Sequence, residues 1–244
     1  MRFEWKAYPD PKAAAEACAA YVIERLDEAL ATRGYATLAL SGGATPRPMF
    51  QRLAKSRLAW NRIHVFWVDE RAVPPTDPES NYKLAAETLL MPIGIPQRNI
   101  HRIHTELTPQ AAAGAYAREI REFFGLGRGE MPEFDVLHRG MGAEGHTGSL
   151  FPGEPLIDDR EELVAAVYVA KKEQWRITLL PGPLLAARDT VMLVAGADKA
   201  EAARAVFQGP YEPNRYPAQL TPRDGRGVLW FLDEAAARLL TGDA

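Results

Sequence analysis

Short apolar runs alternate with longer amphipathic or alanine-rich stretches along most of this chain. Apolar runs that are bounded by glycine, proline or charged residues are typical of buried strands. Such runs predict strands at residues 35–40, 63–68, 134–138, 163–170, 176–180, 190–194 and 228–232.

The stretches between these runs carry the signals of helices. The first helix is predicted after Asp10, which can cap it, with Pro11 at the first helical position and Gly34 at its end. Others are predicted at residues 46–55, 81–90, 108–124, 183–188, 199–207 and 233–240. Strands that alternate with helices favour an α/β fold with a mostly parallel sheet and helices on both faces. No repeat or long linker interrupts the pattern, so we expect a single domain over residues 1–244.

Composition and charge narrow the range of partners. Lys+Arg number 29 and Asp+Glu 32, a formal net charge of -3, so no global basic field exists to hold nucleic acid or anionic lipid. Any anion must therefore be met by a local cluster. The single cysteine fits a reducing compartment, and residues 1–11 lack the apolar core of a signal peptide. We expect a cytoplasmic monomer or small homo-oligomer with no nucleic-acid or membrane partner.

The loop Ser41-Gly42-Gly43 follows a predicted buried strand and precedes a predicted helix. Glycines let the backbone approach a ligand closely, and N–H groups at the start of a helix attract anions such as phosphate. The alternative is a tight turn that binds nothing. The Gly-Lys-Ser/Thr ending of a Walker A loop is absent.

The triplet Asp69-Glu70-Arg71 closes the strand predicted at residues 63–68. On a protein surface such a triplet is usually a solvated turn. In parallel sheets, however, ligands bind beyond the carboxyl ends of the strands. We therefore expect the triplet to point into the ligand crevice, where Arg71 could pair with phosphate as a fork.

A glycine-rich segment, residues 140–153, follows the strand predicted at residues 134–138. Its first six residues match the dinucleotide pattern G-x-G-x-x-G, but the glycines and proline that follow leave no room for the required helix. His146 is the more informative residue of this segment. Histidine titrates near neutral pH and suits a general base, although a structural role is the alternative.

Other polar residues are weaker candidates. His101 and His104 lie in a predicted loop with no third metal ligand nearby. Ser149 lacks the G-x-S-x-G elbow of a serine hydrolase. His138 and Arg139 end an otherwise apolar strand, so they lie either at the crevice or where the strand leaves the core.

An ordered set of motifs resembles the 6-phosphogluconolactonases of the glucosamine-6-phosphate isomerase/6-phosphogluconolactonase family. Each motif is weak alone, but their order is specific and they span almost the whole chain. The set comprises LSGG (40–43), TP (45–46), VDER (68–71), SNY (80–82), GMG (140–142), GHT (145–147), SLFPG (149–153), RITL (176–179), GADK (196–199), PA (217–218) and WFLD (230–233).

This resemblance implies a modified Rossmann-like α/β fold, shared with glucosamine-6-phosphate deaminases and ribose-5-phosphate isomerases. It implies hydrolysis of 6-phospho-D-glucono-1,5-lactone to 6-phospho-D-gluconate in the oxidative pentose phosphate pathway, with no metal ion and no cofactor. His146 would activate the attacking water. The residues that would hold the phosphosugar lactone are Ser41, Gly42, Gly43, Asp69, Arg71, Arg176 and Lys199.

The chain departs from the family pattern at several positions. Glu144 stands where the family usually has aspartate; the exchange keeps the charge and lengthens its reach, and we keep Glu144 with His146 among the candidate catalytic residues. Gly148 replaces a usual alanine, and His138 and Arg139 replace aliphatic residues.

Two other functions remain open. An aldose–ketose isomerase similar to glucosamine-6-phosphate deaminase would share the fold and the Gly-His loop, although residues 69–71 and 149–152 favour the lactonase. A non-catalytic sugar-phosphate sensor would bind a phosphosugar without turning over a lactone.

Overall fold

The computed structural model describes residues 4–221 and 227–241. Within these ranges ten strands are numbered along the chain: β1 (Glu4–Tyr8), β2 (Ala36–Leu40), β3 (Ile63–Trp67), β4 (Asp69–Arg71), β5 (Ile100–His101), β6 (Val136–Arg139), β7 (Val164–Val169), β8 (Gln174–Leu179), β9 (Asp189–Val194) and β10 (Gly227–Asp233). Seven of them form the larger sheet, in the order β1-β10-β9-β6-β2-β3-β5. All neighbouring strands in this sheet run parallel, so their carboxyl ends share one edge.

The strands β4, β8 and β7 form a smaller antiparallel sheet in that order. Val68 connects the two sheets. Its N–H donates to the Leu40 carbonyl at 2.8 Å, and its carbonyl accepts the N–H of Leu179 at 2.7 Å. The chain therefore passes from β3 directly into β4, which places residues 69–71 at the carboxyl end of the larger sheet.

Helices occupy the connections between strands. The described α-helices are α1 (Pro11–Arg33), α2 (Arg47–Leu53), α3 (Asn81–Ala85), α4 (Met91–Ile93), α5 (Pro109–Phe124), α6 (Pro181–Ala186), α7 (Ala200–Gln208) and α8 (Glu234–Ala237). As predicted, the Asp10 carboxylate caps α1 by accepting the N–H of Ala13 at 2.8 Å. Gly34 ends the helix in the left-handed region, at φ 81°.

Alternate side chains of β10 belong to different hydrophobic clusters. Leu229 and Phe231 pack in the larger core cluster, which includes the buried side of α1. Trp230 and Leu232 pack in a second cluster with buried residues of α7. Successive strand residues face opposite sides of a sheet. The sheet is therefore covered by helices on both faces, and the predicted α/β fold with a mostly parallel sheet is confirmed.

Several element predictions are wrong. Residues 4–8 form the edge strand β1, although the sequence predicts a helix as the first element; this mostly exposed strand lacks an apolar run. Residues 100–101 form β5 instead of a loop, and residues 69–71 form β4 instead of the loop expected after the strand. The helix predicted at residues 81–90 is confirmed, but it continues from α3 through a π-helical turn into α4.

Candidate active site

A cleft of about 220 Å³ lies where the carboxyl ends of β2, β6 and β9 meet the smaller sheet. Its walls come from segments that are far apart in the sequence. All but one of the site residues expected from the sequence line it, namely Ser41, Gly42, Gly43, Asp69, Arg71, His146, Arg176 and Lys199. The exception, Glu144, contacts His146 from beside the cleft.

The conformation of the Ser41–Gly43 loop depends on close approach by Asn81. A Cβ atom on Gly42 would lie 1.9 Å from the Asn81 Oδ1, and Gly43 has φ 99°. The Asn81 side-chain amide donates to the Asp69 carbonyl at 2.8 Å. Asn81 lines the cleft, yet the only signal in the sequence is its place in the SNY motif.

Asp69 joins two of the loops that form the cleft. Its carboxylate accepts the hydroxyl of Ser149 at 2.8 Å and the hydroxyl of Ser41 at 3.3 Å. Asp69 is buried, at 5% exposed. It therefore fixes the Ser41 loop relative to the glycine-rich segment that carries His146. The Ser149 hydroxyl is used in this contact and has no bond to an imidazole, which disfavours it as a nucleophile.

Glu70 does not line the cleft, so the prediction that the whole triplet faces the crevice is wrong for this residue. Its carboxylate accepts the backbone N–H groups of Arg71 and Asn81 at 2.8 Å and that of Tyr82 at 2.7 Å. It also accepts the Ser80 hydroxyl at 3.1 Å. Burial raises the pKa of Glu70, although the three N–H donors act to lower it. Glu70 thus attaches β4 to the first turn of α3.

Arg71 and Arg176 lie opposite each other on β4 and β8, and both line the cleft. Within the described ranges, the Nε of neither arginine has a hydrogen-bond partner. Arg71 does donate one hydrogen bond, from its Nη1 to the main-chain carbonyl of Glu79. Burial lowers the pKa of Arg176; the Asp69 carboxylate opposes this effect and the charge of Arg71 adds to it. Like charges directly opposite on a sheet are destabilising, so an anion between these guanidinium groups would stabilise the pair.

Lys199 lines the cleft on the β9 side, after the loop that follows this strand. Its Nζ lies 2.7 Å from the Asp198 Oδ2, and its side chain is 22% exposed. The ammonium group is therefore already paired with a carboxylate, in contrast to the unpaired Nε of each cleft arginine.

The imidazole of His146 lies close to glycine backbone and stacks on an aromatic ring. A Cβ atom on Gly142 would lie 2.0 Å from its Nδ1, so only glycine fits there. The ring stacks on Phe151 with centroids 4.2 Å apart. The Glu144 Oε2 lies 3.2 Å from the His146 Nδ1, a close charge contact whose alignment falls short of a hydrogen bond.

Burial and the contact with Glu144 act in opposite directions on the pKa of His146, and burial has the larger effect. Burial lowers the pKa of His146, whereas the carboxylates of Glu144 and Asp69 raise it. A neutral imidazole beside a carboxylate keeps its proton on the nitrogen that faces the carboxylate, here Nδ1. The Nε2 atom is then free to accept a proton, which is the form that a general base requires.

Three of the remaining histidines form two groups, and the fourth, His104, is exposed and lies outside the cleft. His64 and His101 contact each other at 2.9 Å and His101 contacts Glu119 at 2.8 Å, away from the cleft lining. His138 lies at the carboxyl end of β6 and lines the cleft. The sequence leaves open whether His138 lies at the crevice or where the strand leaves the core, and the pairing of β6 with β2 decides for the crevice.

Residues 9–230 match the family model described as glucosamine-6-phosphate isomerases/6-phosphogluconolactonase. The chain belongs to this family. A 6-phosphogluconolactonase from Synechocystis sp. is 39% identical over 221 residues, covering 90% of each chain. Another from Nostoc sp. is 37% identical over 243 residues, covering 99% of this chain and 100% of the relative.

Among solved structures of the family, a 6-phosphogluconolactonase from Shewanella baltica is similar with a TM-score of 0.85 at 27% identity, covering 96% of this chain and 98% of that one.

In the described part of this chain, no helix has the length and apolar character needed to span a membrane. Residues 4–221 and 227–241 also contain no group of three or more His, Cys, Asp or Glu side chains placed to hold a metal ion.

Proposed function

We propose that the protein hydrolyses 6-phospho-D-glucono-1,5-lactone to 6-phospho-D-gluconate, the lactonase step of the oxidative pentose phosphate pathway. The observation that carries the proposal is one cleft that brings together the imidazole of His146, whose pKa burial lowers, and two arginines, Arg71 and Arg176, whose Nε atoms have no hydrogen-bond partner among the described residues. The curated relatives named 6-phosphogluconolactonase, which match over most of the chain, support the same reaction.

The phosphate of the substrate would bind at the end of the cleft formed by residues 41–43. Backbone N–H groups of this loop donate to its oxygens, and Arg71 and Arg176 neutralise its charge. Lys199 would reach the same anion from the β9 side, and Asp69 would hold the loop that contacts it. Binding at this remote group positions the lactone carbonyl near His146.

In the proposed reaction, the His146 Nε2 removes a proton from a water molecule as the water oxygen attacks the lactone carbonyl carbon. Loop N–H groups or a cationic side chain of the cleft stabilise the oxyanion that forms. When this intermediate collapses, the bond between the carbonyl carbon and the ring oxygen breaks. His146 returns its proton to that oxygen, and Glu144 stabilises the imidazolium while it exists.

The other functional assignments rest on the sequence. The near-neutral charge and the single cysteine support a cytoplasmic protein whose partner is a small phosphosugar lactone. We propose that it acts as a single domain, in a monomer or small homo-oligomer, without nucleic-acid partners.

Replacement of His146 tests the proposed reaction. For His146→Asn we expect kcat on freshly generated lactone to fall by about 10²–10⁴-fold, the usual contribution of a general base. Spontaneous hydrolysis of the lactone must be subtracted. His104→Gln, which changes an exposed histidine outside the cleft, is the matched control and should keep wild-type activity.

If His146→Asn hydrolyses the lactone at the wild-type rate, the imidazole is not the general base. Release of ammonia from glucosamine 6-phosphate by the wild-type protein would instead favour the deaminase-like isomerase. Tight phosphosugar binding with no lactone turnover would favour the sensor.

A further inference from the structure

We propose that His138 is a further substrate-binding residue, whose Nε2–H donates to the anionic group held by the Ser41–Gly43 loop. The inference rests on the proposed function for the identity of the substrate, but its central claim concerns anion binding alone. His138 lines the cleft at the end of β6 and is 1% exposed.

The position of the His138 ring is fixed by its neighbours. Its Nδ1 lies 3.4 Å from the backbone nitrogen of Ser41, whose N–H also reaches the His138 carbonyl at 3.2 Å. The ring of Phe50 packs edge-on against the imidazole, with the two ring centroids 6.2 Å apart. The imidazole therefore lies directly beside the first residue of the proposed phosphate loop.

These contacts determine which nitrogen of His138 carries the proton. Because Nδ1 faces an N–H group, it must be unprotonated, and a neutral ring then carries its proton on Nε2. Burial lowers the pKa of His138 to about 3, so the ring is neutral at physiological pH. The result is a neutral N–H donor beside the anion-binding loop.

This donor has no partner among the described residues. Buried donors in folded proteins are almost always satisfied, and an orphan at the edge of a cleft calls for a ligand acceptor. Arg139, the next residue of β6, does not supply the contact, because it faces the other side of the strand and donates to the Leu220 carbonyl at 2.8 Å. An oxygen of an anion bound at the loop would satisfy the His138 donor.

Inorganic phosphate is the probe that tests this contact without requiring turnover. For His138→Leu we expect calorimetry to give a phosphate Kd raised about tenfold, the equivalent of one lost hydrogen bond. The KM for the lactone should rise by a similar factor while kcat stays within about twofold, since the contact is equal in the ground and transition states. His138→Gln, which retains an amide donor, should recover most of the phosphate affinity.

Thr190→Val is the matched control. Thr190 lies on the neighbouring strand β9, its buried hydroxyl also lacks a partner in the described structure, and it does not line the cleft. Its replacement should leave the phosphate Kd unchanged. A folded His138→Leu protein that binds phosphate as the wild type does would overturn the proposal.

The proposal is equally wrong if the wild-type protein fails to bind phosphate, or if His138→Gln binds it no better than His138→Leu. If His138→Leu does not fold, the comparison of His138→Gln with His138→Met decides, because methionine keeps the volume without a donor. If the wild-type protein binds phosphate but does not hydrolyse the lactone, the proposed function is refuted. The proposed contact of His138 with the anion would not be affected by that result.

Discussion

Individual residues around His146 determine how closely its imidazole is packed and which charge lies beside it. Gly142 leaves space for the imidazole, Phe151 stacks on it, and Glu144 lies against its Nδ1. The sequence identifies His146 because it follows a strand among glycines. For His138 the sequence offers two places, the crevice or the point where the strand leaves the core, and the pairing of β6 with β2 decides between them.

Glu144→Gln should change both the rate and the pH dependence. The carboxylate raises the pKa of His146 against the effect of burial. Its loss should therefore lower that pKa, so that the acid limb of the kcat/KM profile moves to lower pH. Loss of one charged contact, about 1.5 kcal/mol, should reduce kcat by about tenfold.

The pH profile of kcat/KM measures both effects of Glu144→Gln. Glu162→Gln, which changes an exposed carboxylate outside the cleft, is its control. An acid limb that stays in place or moves to higher pH would show that Glu144 does not act on His146.

At the level of elements, the apolar runs predict most strands of the larger sheet, whereas short or polar strands are missed. β1 is mostly exposed and β5 has two residues, so neither gives a local hydrophobic signal. β4 is a strand only because β8, about a hundred residues later, pairs with it. Local sequence cannot show such a pairing.

Glu70→Gln should destabilise the attachment of β4 to α3. Each carboxylate oxygen of Glu70 accepts at least one backbone N–H, so either orientation of a glutamine amide places its NH₂ against a donor. We expect a loss of about 2 kcal/mol in the free energy of unfolding, measured by urea denaturation. Glu87→Gln, at a half-exposed carboxylate in the π-helical turn that follows α3, should change it by less than about 0.5 kcal/mol. Equal effects of the two substitutions would contradict this role for Glu70.

At the scale of the whole molecule, the alternation of strands and helices predicts the larger sheet and the edge at which the cleft lies. It does not predict the smaller antiparallel sheet, which supplies both cleft arginines. Their proximity depends on a strand pairing between distant segments, and no local pattern encodes it. The resemblance to a known family, rather than periodicity, is what brings Arg176 into the predicted site.

Stability should fall in mild acid because of buried histidine. Burial lowers the pKa of His138 to about 3 and that of His64 to about 4. Below about pH 6.5 these imidazoles take up protons in the unfolded chain but stay neutral in the folded chain. Lower pH therefore favours unfolding. For His138 alone the loss is about 1.4 kcal/mol for each pH unit until its folded pKa is reached.

Urea denaturation at pH 7, 6 and 5 measures this loss. The stability of His138→Leu should depend less steeply on pH than that of the wild type, and His104→Gln, at an exposed histidine, should retain the wild-type slope. Parallel slopes for all three proteins would show that the folded chain protonates His138 as readily as the unfolded chain does.

The pairing of β4 with β8 has a consequence for how correct folding can be recognised. Arg71 and Arg176 face the cleft together only in the register that the structure shows. A slip of one residue would turn every side chain of the slipped strand to the opposite face. The larger sheet includes neither β4 nor β8, so its seven strands would stay paired in such a chain. Anion binding at the proposed site would therefore distinguish the native register of β4 and β8 from a slipped one.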